Sequence, residues 1–398
     1  MTLVVRNAGR LVTCDPELGE GVLGVIDKGA LVADGARISW VGRERDLGAS
    51  PGAQELDAGG CAVLPGLVDC HTHLLFAGDR APEFAARMRG EPYRAGGIMS
   101  TVGATRQAPD DELTRLGRAR LDRFLSFGVT TVEAKTGYGL TPEQELRLLR
   151  LSAALGHRVD VVPTLLAAHV VPPEFAEDPD AYVELMCREA IPAAAGAAEF
   201  CDAWCEEKGA FSAEQARSIL AAGAAAGLGL KLHAEQLSRS GGAALAAELC
   251  AVSADHLEQA TEEDAAQLAR AGTVGVLTPG ASMTTAAPCA PARLLIERGV
   301  RVALSTDFNP GTSYSENLQL QVALGCGLLR MTVEEALLAV TRHAAAAVGR
   351  EQTCGRLAPG LACDLLVLES RSEADLAYHY GVNLARTVVK GGEMAVWQ

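Results

Sequence analysis

Short apolar runs alternate with helix-forming stretches through the middle of the chain, and this alternation restricts the fold more than any other feature. Eight runs are predicted strands, at residues 62–68, 129–134, 159–166, 199–204, 229–232, 252–254, 274–277 and 300–304. Helices are predicted between them, for example at residues 142–155, 213–226, 242–250 and 262–271. Strands that alternate with helices indicate βα units and a parallel sheet. Eight units over about 250 residues predict an α/β chain with a (β/α)8 TIM barrel.

The sequence after the first predicted strand distinguishes the barrel from a doubly wound open sheet, which can also hold eight strands. No GxGxxG fingerprint for dinucleotide binding follows residues 62–68. Instead, an unusually long connection runs from Leu74 to about Asp110. Long loops in compact domains are often functional, and in a barrel this loop lies at the C-terminal face, where active sites are built. The barrel is therefore the favoured fold.

The two ends of the chain differ from the middle in their pattern of residues. Short β-type runs separated by Gly-containing turns occur near the start, at residues 3–5, 30–33 and 38–41, and near the end, at residues 363–368 and 387–392. Two β-rich ends around a barrel predict a small β-sandwich domain assembled from both termini. We therefore expect residues 1–60 and 351–398 to form the sandwich and residues 61–350 to form the barrel.

Charge and hydropathy restrict the partners. Thirty-five Lys and Arg against 50 Asp and Glu give a formal net charge of −15, so a nucleic acid would be repelled on average. No run approaches the roughly 20 apolar residues of a membrane span, and no basic segment followed by an apolar run opens the chain. We expect a cytoplasmic protein with a small-molecule substrate and no nucleic-acid or membrane partner. Its eleven cysteines are expected to be reduced thiols.

Histidines and one aspartate follow the predicted strands. His71 and His73 form an HxH pair at the end of the first strand, where residues i and i+2 point to the same side. Four more side chains follow the third, fifth, sixth and eighth strands: His169, His233, His256 and Asp307. Any one of these histidines could serve packing alone, but strand ends converge on one mouth of a barrel. Imidazole and carboxylate groups together suit zinc, iron or manganese.

This order of residues resembles the amidohydrolase superfamily, whose members combine a metal-bearing (β/α)8 barrel with a β-sandwich from both termini. The similarity runs along nearly the whole chain and is carried by six blocks, at residues 69–80, 96–102, 135–139, 167–169, 231–236 and 305–312. Two-metal members of the superfamily carry a carboxylated lysine after the fourth strand. Residues 204–206 have no lysine at that place, and Lys135 and Lys208 do not match it. The resemblance therefore implies one transition metal, zinc or iron.

The resemblance also implies a reaction. Within the superfamily the chain is similar to members that hydrolyse the ring amide of 4-imidazolone-5-propanoate to N-formimidoyl-L-glutamate in histidine degradation, and these are expected to be homodimers. The implied metal ligands are His71, His73, His233 and Asp307. Asp307 would also move the proton as base and then acid, while His256 would stabilise the oxyanion or shuttle a proton.

Substrate contacts are implied by the same matching. Arg80 corresponds to the arginine that binds the propanoate carboxylate. A guanidinium can bind a carboxylate through two parallel hydrogen bonds. The remaining implied contacts are Tyr138, His169, Gln236, Asn309, Gly311 and Thr312, with Gly311 and Thr312 offering backbone amides. Some members use a glutamate as base where Gln236 stands. An amide cannot take a proton at neutral pH, so Gln236 is expected to orient the ring or the water.

Two alternatives remain open from the sequence. A cytosine- or guanine-type deaminase would use the same metal, His256 and Asp307, but would release ammonia from an exocyclic amine. Such an enzyme does not need Arg80 for a propanoate. A metal-free scaffold protein of the dihydropyrimidinase-like kind would have lost ligands, whereas the full set is present here.

Overall fold

The computed structural model describes residues 1–91, 97–206 and 209–397, and these residues form two eight-stranded sheets. The first sheet is mixed and contains strands from both ends of the chain. Its members are β1 (Thr2–Val12), β2 (Val25–Asp34), β3 (Arg37–Arg43), β4 (Gln54–Asp57), β5 (Ala62–Pro65), β14 (Leu365–Leu368), β15 (Ala385–Lys390) and β16 (Glu393–Trp397). The expectation that both termini build one β unit agrees with this sheet, and the domain boundaries at residues 60 and 350 stay a prediction.

The second sheet is parallel and follows chain order. Its strands are β6 (Leu67–Asp69), β7 (Val129–Lys135), β8 (Asp160–Ala168), β9 (Phe200–Cys205), β10 (Gly229–Ala234), β11 (Ser253–His256), β12 (Val274–Leu277) and β13 (Val302–Leu304). A parallel bridge between Thr72 and Phe308 joins the extensions of its first and last strands. The predicted TIM barrel is confirmed.

Helices lie between successive barrel strands and after the last of them, and one short helix lies between β14 and β15 of the mixed sheet. They are α1 (Ala81–Met88), α2 (Ile98–Gln107), α3 (Asp110–Ser126), α4 (Pro142–Ala153), α5 (Pro179–Leu185), α6 (Ile191–Ala194), α7 (Ala213–Ala225), α8 (Gly242–Glu248), α9 (Glu262–Ala271), α10 (Pro279–Thr285), α11 (Ala292–Glu297), α12 (Leu318–Gly327), α13 (Val333–Ala339), α14 (Arg342–Ala347) and α15 (Asp375–Tyr378). Local sequence sets several of their ends. Ser212 and Gln215 form a capping box at the start of α7. None of the described helices combines the length and apolar character needed to cross a bilayer.

The predicted strand at residues 62–68 is divided between the two sheets. Ala62–Pro65 pairs with β1 and β14, whereas Leu67–Asp69 pairs with β7. Gly66 lies at the crossing, where a Cβ atom would collide with Thr130, and its backbone N–H donates to the Asp364 carbonyl. The prediction of one strand was therefore wrong, because the continuous apolar run does not reveal that the chain changes sheets at Gly66.

Candidate metal centre and active site

The predicted metal ligands lie together at the carboxyl ends of the barrel strands. The ring centroids of His71 and His233 are 4.5 Å apart, and those of His71 and His73 are 5.6 Å apart. Asp307 Oδ1 lies 3.6 Å from His71 Nε2 and 3.9 Å from His73 Nε2. The His256 ring lies 5.1 Å from that of His71. Side chains that are far apart in sequence therefore form one buried cluster.

Backbone contacts hold the HxH segment extended beyond the end of β6. The Thr72 carbonyl accepts from the Lys135 N–H at 2.9 Å, and the His73 N–H donates to the Phe308 carbonyl at 2.9 Å. These bonds tie the segment to the ends of the second and eighth barrel strands. Because side chains two apart on extended backbone point the same way, both imidazoles face the cluster.

Left-handed backbone turns two further side chains inward. His256 has a φ of 80° and Asp307 a φ of 49°, a region that non-glycine residues seldom occupy. Asp255 and His256 are consecutive, yet both contact groups inside the barrel, which regular strand alternation would forbid. Such conformations persist where the surrounding structure enforces them, and they are concentrated at functional sites.

Two buried aspartates fix the orientation of two of these imidazoles. Asp255 Oδ2 lies 2.6 Å from His71 Nδ1, and Asp202 Oδ2 lies 3.1 Å from His233 Nδ1. A carboxylate accepts from the Nδ1–H of each ring, so each Nε2 carries the lone pair. In the described part of the chain neither Nε2 has a hydrogen-bond partner. Two buried, oriented lone pairs without a partner fit a metal ion.

Burial also keeps these imidazoles neutral. It lowers the pKa of His71 well below its ordinary value, with a further contribution from the Lys135 charge. Burial lowers the pKa of His233 as well, against the opposing effect of Asp202. Neutral imidazole is the form that binds a metal, so the donor set agrees with the chemistry of a metal centre.

Sequence reasoning missed Asp202 and Asp255. Asp202 lies inside the strand predicted at residues 199–204, and Asp255 directly follows the strand predicted at residues 252–254, but neither was predicted as a site residue. A signal was present, because a charged residue in an otherwise apolar barrel strand must face the interior and needs a partner there. Charged residues also precede two of the histidines by two positions, Asp69 before His71 and Lys231 before His233. Side chains two positions apart on a strand or its extension point to the same face.

A pocket beside the cluster brings together most of the predicted substrate contacts. It is lined by Arg80, Tyr138, His169, Gln236, Asn309 and Thr312 as well as by His73, His233, His256 and Asp307. Gly311 lines an adjoining cavity that shares Arg80 and Thr312 with this pocket. Ile98 and Trp204 also line the pocket and were not predicted as site residues. Gly96, the first residue of the block at residues 96–102, and Lys208 lie outside the described residues.

The Arg80 side chain is buried and held by an acidic neighbour. Its Nε and Nη2 atoms each lie 2.7 Å from one carboxylate oxygen of Glu83, one turn along α1. A Cβ atom at Gly311 would collide with Arg80 Nη1, and one at Gly97 would collide with Glu83. The two glycines therefore make room for the Arg80–Glu83 pair. One bidentate edge of the guanidinium, formed by Nε and Nη2, is directed at Glu83 in this structure.

Asn309 accounts for a second difference from expectation. Its Oδ1 accepts from the backbone N–H groups of Gly311 and Thr312, both at 2.8 Å. Its Nδ2 donates to the Asp307 carbonyl at 2.6 Å. The amides expected to serve the substrate are therefore donated to Asn309, because an asparagine can bond to the backbone two residues ahead and close a turn. That turn fixes the position of Asp307.

The loop that carries Tyr138 is organised around a buried carboxylate. Glu145 accepts from the backbone N–H groups of Gly137, Gly139 and Leu140, each at 2.7 Å. Gly137 has a φ of 108°, which favours glycine, and its carbonyl lies 2.8 Å from His169 Nδ1. Because a carbonyl only accepts, His169 Nδ1 carries the hydrogen. Burial lowers the pKa of His169 to about 3, so its Nε2 is an acceptor at neutral pH.

Replacing Glu145 by Ala is expected to destabilise the protein because three buried N–H groups lose their acceptor. We expect the free energy of unfolding, measured by urea denaturation, to fall by at least ~2 kcal/mol, since each buried donor left unpaired costs about 1–3 kcal/mol. Glu143→Ala, at an exposed position of the same helix, is the matched control. A Glu145→Ala protein as stable as Glu143→Ala would show that the three bonds contribute little.

Comparisons with known proteins show the family of the chain and agree with its fold. Residues 93–396 match the model of the amidohydrolase family. The chain is 46% identical to the imidazolonepropionase of Mycolicibacterium smegmatis over 100% of this chain and 98% of that protein. It is 47% identical to the imidazolonepropionase of Salinispora arenicola, with 98% of each covered. Among solved structures, a variant of atrazine chlorohydrolase from Arthrobacter aurescens, complexed with zinc and atraton, is similar with a TM-score of 0.75. The two are 19% identical, with 99% of this chain and 95% of that chain covered.

Proposed function

The chain belongs to the imidazolonepropionase family of the amidohydrolases, and we propose how its residues open the ring of 4-imidazolone-5-propanoate. It is a hydrolase of histidine degradation that acts on a C–N bond of a cyclic amide. In the overall reaction the oxygen of water adds to the ring carbonyl carbon, the C–N bond breaks and the nitrogen takes a proton, which yields N-formimidoyl-L-glutamate. The observation that carries this conclusion is identity of 46–47% over at least 98% of the chain.

His71, His73, His233 and Asp307 would hold one metal ion, zinc or iron. Such an ion lowers the pKa of a bound water toward neutrality and polarises a carbonyl group. This chain contributes the orientation of the ligands, because Asp255 and Asp202 fix the His71 and His233 rings. The Nε2 atoms of both rings are thereby directed into the cluster.

Asp307 is placed to carry the proton of the reaction. Its Oδ1 faces His71 and His73, whereas its Oδ2 accepts from Thr312 Oγ1 at 3.3 Å on the pocket side. Burial raises the pKa of the carboxyl to about 7, and a metal ion held by this ligand set would lower it again. Oδ2 accepts the proton of the attacking water and delivers it to the ring nitrogen as the C–N bond breaks.

His256 is placed to stabilise charge on the carbonyl oxygen. Its Nδ1 lies 3.1 Å from Thr278 Oγ1 and 3.9 Å from Glu258 Oε1. Burial opposes protonation, but the carboxylates of Glu258, Asp307 and Asp255 together outweigh it and raise the pKa of His256. A protonated ring donates a hydrogen bond to the developing oxyanion, which is the group whose charge grows most in the transition state.

The remaining pocket residues orient the substrate ring. Neutral His169 accepts a hydrogen bond at Nε2, Tyr138 lies on the loop that Glu145 holds, and Gln236 supplies amide hydrogen bonds without exchanging protons.

The substrate's propanoate carries a negative charge, and Arg80 supplies the buried positive charge in this pocket. A cytosine- or guanine-type deaminase would have no use for that charge, so the deaminase alternative is not favoured. We also propose that the protein is cytoplasmic and that two copies of the chain form a homodimer.

Replacing Arg80 by Ala tests the substrate assignment. A hydrogen bond to a charged group contributes about 1.5–3 kcal/mol, so kcat/KM for 4-imidazolone-5-propanoate should fall about 10- to 160-fold. The substrate is anionic already in its ground state, so most of the loss should appear in KM. Arg80→Lys should restore only part, since a point charge does not reproduce the planar guanidinium.

The controls separate a direct contact from a structural role. Arg89→Ala removes an exposed arginine just after α1 and should leave the kinetics unchanged. An imidazolone without the propanoate should be a poor substrate whose turnover Arg80→Ala hardly alters. Native kinetics for Arg80→Ala on the full substrate would refute the carboxylate assignment. Equal losses on both substrates would mean that Arg80, paired with Glu83, only holds the loop.

A further inference from the structure

Five charged side chains form a fully buried platform beneath the metal ligands. Its members are Glu133, Lys135, Asp202, Lys231 and Asp255. They lie on four barrel strands, β7, β9, β10 and β11, with β8 between the first two, and their side chains meet inside the barrel. The reaction described above uses the two aspartates only as partners of histidines and does not use the two lysines. Burial of five charged groups costs desolvation free energy unless each group is closely paired, so we expect this arrangement to have a function.

Lys135 lies at the centre of this platform. Its Nζ is 2.6 Å from Asp202 Oδ2, 3.1 Å from Glu133 Oε1 and 3.3 Å from Asp255 Oδ2. Burial opposes the charge, but Asp202 and Glu133 outweigh it and raise the pKa of Lys135, so the group is an ammonium. An ammonium has three hydrogens, and three carboxylates surround it here.

The two aspartates that Lys135 joins are the ones that orient metal ligands. Asp255 Oδ2 lies within reach of both Lys135 Nζ and His71 Nδ1, and Asp202 Oδ2 within reach of both Lys135 Nζ and His233 Nδ1. One cation therefore sets the separation of two carboxylates that would otherwise repel each other. Each carboxylate in turn sets the rotation of one imidazole.

We propose that Lys135 is a positioning residue for the metal, because it joins Asp202 and Asp255 and so fixes His71 and His233 as a pair. The proposal rests on the metal ligands assigned under the proposed function. Charge alone predicts the opposite effect, since removing a cation near the site should strengthen the attraction for a metal ion. The direction of the change in metal affinity therefore discriminates between positioning and simple electrostatics.

The test measures zinc affinity directly rather than activity. Metal-free native and Lys135→Met proteins are reloaded with Zn²⁺, and the dissociation constant is measured by competition with a chelator. Loss of a partner behind a metal ligand typically weakens metal binding 10–100-fold, and we expect a loss of that size. The visible absorption spectrum of the Co²⁺-loaded protein should also change, because it reports the arrangement of the ligands.

Lys231→Met is the matched control, because it removes an equally buried ammonium from the same platform. Lys231 Nζ pairs with Glu133 Oε2 at 3.2 Å and donates to the Ala347 carbonyl at 2.9 Å. Its zinc affinity should stay within about threefold of the native value, by contrast with the 10–100-fold loss expected for Lys135→Met. Circular dichroism and size-exclusion chromatography establish that each variant is folded, and Lys135→Gln serves as a second variant.

Several results would overturn the inference. Lys135→Met with native or tighter zinc binding would show that the ammonium acts through its charge alone. Equal losses in Lys135→Met and Lys231→Met would show a general effect of disrupting the platform. If Lys231→Met folds and neither Lys135 variant does, the ammonium serves the fold rather than the metal. Failure of the native protein itself to bind Zn²⁺ or Co²⁺ would instead refute the ligand assignment.

Discussion

Asp307→Asn should lower kcat on 4-imidazolone-5-propanoate by about 10²- to 10⁴-fold, the usual span for loss of a general acid–base group. Asparagine keeps the shape of the side chain and one oxygen that can bind a metal, but it cannot accept the proton of the attacking water. Metal content should therefore fall less than activity does, as measured by elemental analysis of the same samples.

Asp122→Asn provides the control for a lost carboxylate, since Asp122 lies on α3 with its side chain 74% exposed. Its kinetics should match those of the native enzyme. If Asp307→Asn keeps more than a tenth of the native kcat with its metal bound, another group moves the proton. His256 would then be the first candidate, because it lies in the same pocket.

His233→Ala should lose both metal and activity. The native protein should hold about one transition-metal ion per chain, and chelation should abolish activity until metal is restored. Without His233 the three remaining ligands hold the ion poorly, and the buried Asp202 loses its partner. We expect His233→Ala to emerge from purification with little bound metal and no measurable turnover.

The exposed His379 offers a matched substitution outside the site. His379→Ala should retain native metal content and kcat. Full metal content in His233→Ala would contradict the assigned ligand set. Two tightly bound ions per native chain would contradict the single-metal proposal, which the absence of a lysine at the described end of β9 supports.

Much of the fold was predictable because barrel strands are nearly continuous apolar runs. Each strand of a parallel barrel is buried on both faces, by the barrel interior and by the surrounding helices, so a run such as residues 274–277 stands out from its helical neighbours. The same property made the division of residues 62–68 at Gly66 unpredictable, since an apolar run suits a strand of either sheet. Which strands a run pairs with depends on contacts with residues far away in the sequence.

The candidate site was predictable where its residues follow strand ends, as His71, His73 and Asp307 do. It was not predictable where function depends on a second residue that only the fold brings near. Asp255 is paired with His71 across 184 positions of sequence, and no spacing rule connects them. The use of the Gly311 and Thr312 amides by Asn309 is likewise a matter of local turn geometry, which motif matching does not reveal.

Hydrolysis in water labelled with ¹⁸O tests the proposed reaction most directly. The metal-loaded native protein is incubated with 4-imidazolone-5-propanoate, with cytosine and guanine in parallel, and products are identified by mass spectrometry while ammonia is measured. Opening of the ring amide predicts N-formimidoyl-L-glutamate with one labelled oxygen in the new carboxylate and no ammonia release. Release of ammonia from cytosine or guanine, with no turnover of the imidazolone, would contradict the proposed function.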